Sequence, residues 1–233
     1  MSSVLTLPIN PENEVEALCA LDADFTQLAK KFTPFPLPIR PFTFNTFVSA
    51  INSQSISTKA ADTIIKRLLK VLNNGEPVTA EHINATTPEQ LRQLGLSNAK
   101  SKAIKDLAEL WIAENLEQSN WDEWTDKQLL EHFTKVPGIG PWTVKMILIF
   151  GLRRADIFPE GDLAIRIGIQ KLKGLPERPT QQESRTISLQ WQPYRTIASV
   201  FLWKSLITPD SDLTASKTSV WNTAQKSQLK EQA

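Results

Sequence analysis

Apolar residues recur at the spacing of an α-helix along most of the chain. After Thr43, a residue type that suits the position before a helix, apolar residues at i, i+3, i+4 and i+7 predict a helix over 44–51. The same periodicity predicts a helix over 60–72, which Gly75 and Pro77 end. Further helices are predicted over 103–111 and near 14–31, 88–94, 125–134, 142–151, 180–190 and 193–206. The pattern therefore favours an all-α fold.

Three segments depart from this periodicity. Residues 4–9 could form a short strand, and residues 209–233 lose the apolar pattern and are predicted to be a frayed tail. In 162–170 the apolar residues alternate as they do in a strand, whereas Asp162 at the start of the segment suits the N-cap of a helix. Periodicity leaves both structures open for this segment.

The composition is that of a globular chain with few metal-binding side chains. Of the 233 residues, 41% are hydrophobic and 22% are charged, which is sufficient for one globular unit or for two small lobes. One cysteine and two histidines argue against a disulfide framework, a cysteine-based zinc site and a four-cysteine iron–sulfur cluster. No uninterrupted apolar stretch reaches about 18 residues, and the start of the sequence lacks a secretory pattern. We therefore expect an intracellular protein, in the cytoplasm, nucleoid or nucleus, without a membrane partner.

The net charge of +1 hides an uneven distribution of charge along the chain. Residues 106–131 hold eight acidic side chains and one basic one, whereas 132–208 hold eleven basic and five acidic, and 59–105 hold eight basic and four acidic. A locally positive face is therefore compatible with the nearly neutral total. Ordinary solvated helix faces would give the same counts, so charge alone does not identify nucleic acid as the partner.

The segment Val136–Val144, VPGIGPWTV, is typical of a tight turn between two helices. Gly138 and Gly140 permit positive φ and a close backbone approach, and Pro141 suits the first turn of the second helix. The N–H groups of Gly138, Gly140 and Thr143 would then point toward one place, which suits a phosphate because a helix N-terminus carries partial positive charge. A glycine-rich turn without a ligand is the alternative.

An aspartate follows the hairpin by some twenty residues. The segment Phe158–Leu163, FPEGDL, places Asp162 after a glycine turn. A plain N-cap would explain a lone aspartate at this place. Its spacing from Trp142 in the hairpin favours a functional carboxylate.

Three pieces of the C-terminal half resemble, in order and spacing, the helix-hairpin-helix DNA glycosylase superfamily, and within it the 3-methyladenine DNA glycosylase II branch. Two pieces of the N-terminal half are similar to the family's glutamine-containing helix end and to its wedge loop. The resemblance covers roughly 20–207. Its pieces are Val136–Thr143, Phe158–Leu163 and Trp191–Arg195 followed by Trp203, and then Phe47–Ser57 and Gly95–Lys100.

The resemblance implies an all-α, two-lobed helical bundle with a helix-hairpin-helix motif and an active site in the cleft between the lobes. Lobe one would span about 43–135, and lobe two about 136–208 together with the N-terminal 12–42. It also implies a monomeric enzyme that binds double-stranded DNA containing alkylated bases and requires no cofactor. Such enzymes flip a damaged nucleotide out of the duplex and hydrolyse its N-glycosidic bond, which leaves an abasic site.

The resemblance also assigns roles to individual residues. Asp162 corresponds to the catalytic carboxylate, which would stabilise an oxocarbenium-like sugar and orient or deprotonate the attacking water. Indole stacks well on electron-deficient alkylated purines, although core packing is the alternative for both tryptophans. The resemblance implies a base pocket lined by Trp142, Trp203 and Met146, and a DNA phosphate held by Gly138, Gly140 and Thr143. It implies a Na⁺ or K⁺ ion held by the backbone carbonyls of Thr134, Val136 and Ile139. The wedge or minor-groove contacts would come from Gln54, Ser55, Ser97, Asn98 and Lys100.

Some positions depart from the family's pattern. Where the family often has Gly-Gln-Gln, this chain has Ser53-Gln54-Ser55, and where many members have tyrosine it has Met146. Members that also cut the DNA strand have a lysine nucleophile where this chain has Trp142, so a monofunctional glycosylase is implied.

Two other functions remain open from the sequence. A non-catalytic helix-hairpin-helix protein that binds damaged or abasic DNA is one alternative, which the altered Ser53-Gln54-Ser55 favours and Asp162 disfavours. A helical protein–protein scaffold with chance motifs is the other, and the joint spacing of the hairpin, the carboxylate and the tryptophans argues against it. For the wedge loop, an ordinary helix N-cap at Ser97 or Asn98 is the alternative.

Overall fold

A computed structural model describes residues 6–8, 11–32 and 42–206, and this part of the chain is mainly helical. The described residues contain no β-strand; Thr6 forms a single antiparallel bridge with Arg154. None of the described helices is long and apolar enough to cross a membrane. In chain order the α-helices are α1 (Glu12–Leu21), α2 (Thr26–Phe32), α3 (Phe44–Ser53), α4 (Thr58–Asn73), α5 (Ala80–Ala85), α6 (Pro88–Gln93), α7 (Asn98–Ala113), α8 (Asp126–Phe133), α9 (Pro141–Phe150), α10 (Leu163–Lys173), α11 (Gln181–Ser188) and α12 (Arg195–Lys204).

The described residues divide into two compact units. The hairpin unit contains 42–124 and 128–143, and the carboxylate unit contains 6–8, 11–32, 125–127 and 144–206. This division places residues 136–143 in the hairpin unit, whereas the predicted lobe two begins at about 136. Gly138 and Thr143 accept hydrogen bonds from Gln54, which follows α3, and Gly138 lies against Ala103 of α7. The predicted tail, 209–233, lies outside the described residues.

The core of the hairpin unit is rich in aromatic rings. The apolar face predicted for α3 is buried, and the ring of Phe47 lies 4.4 Å from that of Phe133 at the end of α8, measured between centroids. Trp111 of α7 contacts Phe44, Phe47 and Trp121 with centroid distances of 5.6, 5.6 and 5.7 Å. Large rings packed in this way bury much apolar area per side chain. They fix the two helices, α3 and α8, whose ends lead into the candidate site.

The carboxylate unit has its own apolar core, built mainly from α1, α10 and α12. The helices α10 and α12 approach closely at Gly168, where an added Cβ would lie 2.8 Å from the carbonyl oxygen of Leu202. Only glycine leaves room for this approach. The buried core residues include Leu18, Phe25, Ile165, Ile169, Trp191 and Phe201.

The single helix predicted over 14–31 is wrong in one respect, since it is interrupted at Asp22. The Asp22 side chain accepts a hydrogen bond from the Asp24 amide (3.3 Å) and caps a short 3-10 turn. The same carboxylate accepts hydrogen bonds from the Trp191 indole (2.7 Å) and from Lys173 Nζ (2.6 Å). Long-range partners therefore stabilise a break that local periodicity does not indicate.

The ambiguous segment 162–170 is helical and lies in α10. Asp162 is its N-cap, and the helical spacing buries Ile165 and Ile169 while Leu163 stays 54% exposed. The short helix α5 was not predicted because only Ala80 and Ile83 in it are buried, too few for a visible period. Of the strand proposed over 4–9, the described residues 6–8 form only the bridge of Thr6.

Candidate active site

Asp162 lies at the N-terminus of α10, in a turn where its amide donates to the Pro159 carbonyl (2.8 Å). It is only 7% exposed. Its Oδ1 accepts hydrogen bonds from the Ile165 amide (3.0 Å) and from the Trp203 indole Nε1 (3.3 Å). The helix N-terminus adds partial positive charge beside the carboxylate. The result is a buried acidic side chain whose orientation is fixed by two donors.

Trp203, a proposed base-pocket residue, lies on α12 and is held in place by contacts of its own ring and of the start of that helix. Its ring is stacked on Phe150 at a centroid distance of 5.9 Å and an interplanar angle of 25°. At the start of α12, the guanidinium of Arg195 binds Asp156 through both carboxylate oxygens, at 2.6 and 2.8 Å. The Thr196 hydroxyl, which is buried, donates to the Arg154 carbonyl at 2.6 Å. These contacts hold the Trp203 indole where its Nε1 donates to Asp162 Oδ1.

Glu160, two residues before Asp162, binds two cations at once. Lys145 of α9 forms an ion pair with its Oε2, and Arg185 of α11 donates to its Oε1 at 2.6 Å. Burial by itself would raise the pKa of Glu160, but the hydrogen bonds from Lys145 and Arg185 outweigh it and hold that pKa below its ordinary value. Sequence reasoning missed this cluster, although Glu160 stands inside the FPEGDL motif. The cluster ties the turn that carries Asp162 to two helices.

The hairpin connects α8 to α9 through a turn whose two glycines differ. Gly138 has a φ of +91°, and an added Cβ would lie 2.8 Å from the Cβ of Ala103 in α7. Gly140 does not have positive φ, and an added Cβ would meet no atom within 4 Å. Of the two glycines expected to permit positive φ, only Gly138 adopts it. Gly140 instead leaves open space next to the start of α9.

The first turn of α9 is suited to an anion. Amide N–H groups in the first turn of a helix lack a carbonyl partner within that helix, and Thr143 lies in this turn. Neither aspartate nor glutamate occurs in the first turn of α9, so no acidic side chain of the helix itself offsets its partial positive charge. Thr143 is itself 2% exposed, and its hydroxyl accepts a hydrogen bond from Gln54.

The carbonyls assigned to a monovalent cation, those of Thr134, Val136 and Ile139, lie in the connection between α8 and α9. The Val136 carbonyl accepts the Ile139 amide at 3.0 Å, which leaves its second lone pair for a further partner. The described residues contain no group of three or more His, Cys, Asp and Glu side chains that could hold a metal ion. A cation at this turn would therefore rest on backbone carbonyls such as those of Thr134, Val136 and Ile139.

The two remaining pocket residues lie on α9. Trp142, in its first turn, is 40% exposed, whereas Met146, four residues later on the same helical face, is 6% exposed. The Trp142 indole is therefore far more accessible to a ligand than the Met146 side chain is.

The proposed wedge residues have different surroundings. Ser97 is the N-cap of α7 and accepts the Lys100 amide (3.3 Å), and the Asn98 side chain accepts a hydrogen bond from Arg92 (3.0 Å). Lys100 Nζ donates to the Asn52 carbonyl at 2.7 Å, and burial lowers the pKa of this ammonium group. Ser55 is exposed and has a φ of +56°.

The hairpin and the buried aspartate that follows it define the class of helix-hairpin-helix DNA repair proteins. The model of the HhH-GPD superfamily of base excision DNA repair proteins matches residues 48–193, which is more than half of the chain. The chain therefore belongs to this superfamily.

Individual relatives agree with this assignment. DNA-3-methyladenine glycosylase 1 of Schizosaccharomyces pombe is 32% identical over 213 residues, which cover 86% of this chain and 93% of the relative. The structure of the 3-methyladenine DNA glycosylase of the same yeast in complex with abasic DNA has a TM-score of 0.72, with 86% of this chain and 99% of the other covered. A DNA-3-methyladenine glycosidase from Bacillus halodurans has a TM-score of 0.73 at 29% identity, with coverages of 82% and 88%.

Proposed function

We propose that this base excision DNA repair protein is a monofunctional glycosylase that excises alkylated purines from double-stranded DNA. The observation that carries the proposal is Asp162, a nearly buried carboxylate held by Trp203 at the N-terminus of α10. Two relatives of similar length are named for 3-methyladenine, which supports an alkylated purine as the substrate.

In the proposed reaction the bond between the sugar carbon and the purine nitrogen breaks, and the electron pair leaves with the base. Positive charge then develops on the sugar, and the Asp162 carboxylate stabilises it. Water adds to the same carbon and loses a proton, which the Asp162 carboxylate would accept. A purine alkylated at N3 or N7 is cationic and departs as a neutral base, so no general acid is needed to protonate it.

The hairpin would anchor the DNA backbone while Asp162 acts on the flipped nucleotide. The amides of Gly138, Gly140 and Thr143 would bind one phosphate, a contact that positions the duplex without reading its sequence. A Na⁺ or K⁺ ion on the nearby carbonyls would add positive charge beside that phosphate. Trp203, which contacts Asp162, would stack on the alkylated base, and the exposed indole of Trp142 is a second candidate for that stacking.

The product is expected to be an abasic site in an unbroken strand. A strand-cutting member of the superfamily needs an amine nucleophile that forms a Schiff base, and Trp142 stands at that position here. Denaturing gels of a labelled duplex with one alkylated purine should show full-length DNA after reaction and cleavage only after hot alkali. Nicking without alkali, or a covalent adduct trapped by borohydride, would contradict this prediction.

Glu160→Gln is expected to slow base release about tenfold, roughly 1.4 kcal/mol of barrier, with little change in DNA affinity. The amide cannot form the two ion pairs that hold the turn of Asp162. Single-turnover rates and the Kd for the substrate duplex measure the two effects separately. The matched control is Glu177→Gln, which removes one negative charge from an exposed site on the same unit. A wild-type rate in Glu160→Gln would show that this cluster does not position Asp162.

A further inference from the structure

The side chain of Gln54 bridges two parts of the hairpin. Gln54 follows the last residue of α3, and its Nε2 donates to the Gly138 carbonyl (3.1 Å) and to the Thr143 hydroxyl (3.0 Å). The amide nitrogen has two protons, so both of its donors are used by the hairpin. One side chain thus joins the turn at Gly138 to the first turn of α9, across 84 and 89 residues of sequence.

The end of α3 is itself firmly attached, which makes Gln54 a rigid support. Lys100 Nζ donates to the Asn52 carbonyl at 2.7 Å, so α7 is joined to the end of α3. The side-chain amide of Asn52, which is fully buried, donates to the Ala61 carbonyl of α4 at 2.9 Å. A support fixed to two helices can hold the hairpin in one conformation.

We propose that Gln54 is a positioning residue that braces the hairpin so that its amides are arranged for a DNA phosphate. The inference rests on the proposed role of the hairpin as the phosphate anchor. This role differs from the wedge or minor-groove contact that the family resemblance implies for Gln54. While both of its amide protons bind the hairpin, the same side chain does not fill a gap in the duplex.

The two roles give different results with undamaged DNA. A brace contributes to every complex in which a phosphate binds the hairpin, whether or not the duplex contains a lesion. A wedge contributes only when a base is flipped, because it replaces the lost stacking. Affinity for undamaged duplex therefore reports on the brace, and the excision rate at saturating protein reports on the wedge.

The test is a double-mutant cycle with Gln54→Leu, Thr143→Val and the combination of both. Affinity for an undamaged duplex, measured by fluorescence anisotropy at fixed salt, should fall about tenfold in Gln54→Leu, as expected for two lost hydrogen bonds. The loss in the double variant should be clearly smaller than the product of the two single losses, because the variants share one hydrogen bond. In Gln54→Leu the loss of affinity should exceed any loss in the single-turnover excision rate at saturating protein. Gln93→Leu, the same change at an exposed site on the hairpin unit, is the control and should bind as the wild type does.

Other outcomes would overturn the proposal. Unchanged affinity for undamaged DNA with a slower saturated rate would make Gln54 a wedge, and strictly multiplicative losses in the cycle would make it a direct DNA contact. Melting temperatures of all variants exclude loss of fold as a cause, and Thr143→Val removes one of the two bonds if Gln54→Leu does not fold. Binding to undamaged DNA can be measured even if the protein excises no base. Failure of the proposed glycosylase function can therefore be distinguished from failure of the proposed role of Gln54.

Discussion

Replacing Asp162 with asparagine is expected to lower the rate of base release by ~10²–10³ or more. The asparagine oxygen can still accept the Ile165 amide and the Trp203 indole, so the start of α10 and its contact with α12 should persist. What is lost is the negative charge that offsets the cationic sugar. The variant should therefore bind DNA at least as tightly as the wild type while excising almost nothing.

The measurement is a single-turnover excision rate at saturating protein, together with the Kd for the same duplex. Asp156→Asn is a poor control because that carboxylate holds Arg195, whereas Glu177→Gln removes one charge from an exposed site. Excision by Asp162→Asn at the wild-type rate would remove Asp162 from the catalytic role.

The two hairpin glycines are expected to respond differently to alanine. In Gly138→Ala the left-handed backbone costs about 1–2 kcal/mol, and the new Cβ would also contact Ala103 in α7. We expect the melting temperature to fall by roughly 5 °C and the affinity for all DNA to fall with it. In Gly140→Ala, where space is open and φ is not positive, the melting temperature should not change.

Gly140→Ala therefore isolates the role of the hairpin in binding. If a phosphate approaches this part of the backbone, the added methyl group should weaken binding to damaged and undamaged duplexes by the same factor. Thermal melting and anisotropy titrations of both variants separate stability from binding. If Gly140→Ala binds DNA with wild-type affinity, the phosphate does not lie against Gly140.

The helices were largely predictable from the sequence because burial follows local periodicity. The face of Phe44, Phe47, Val48 and Ile51 is buried as its spacing predicts. Periodicity failed where long-range contacts decide the local structure. Asp22 interrupts the predicted N-terminal helix because Trp191 and Lys173 bind its carboxylate.

The parts of the site that have a fixed local sequence were also predictable. The hairpin and the capping aspartate are short motifs whose backbone conformations require particular residues, as the positive φ of Gly138 and the N-cap position of Asp162 illustrate. Contacts between distant segments have no such pattern. Neither the pairing of Glu160 with Lys145 and Arg185 nor the bridge from Gln54 to the hairpin could be read from spacing, since each joins residues from separate elements.

The central claim is that this chain removes alkylated purines from DNA, and the most direct measurement is the release of free base. Duplex DNA treated with a methylating agent should be incubated with the purified protein, and the released bases separated by chromatography. The account predicts free 3-methyladenine or 7-methylguanine in amounts equal to the abasic sites formed, and next to none with Asp162→Asn. Tight binding to the methylated duplex with no released base from the wild-type protein would contradict it and would indicate a protein that only binds damaged DNA.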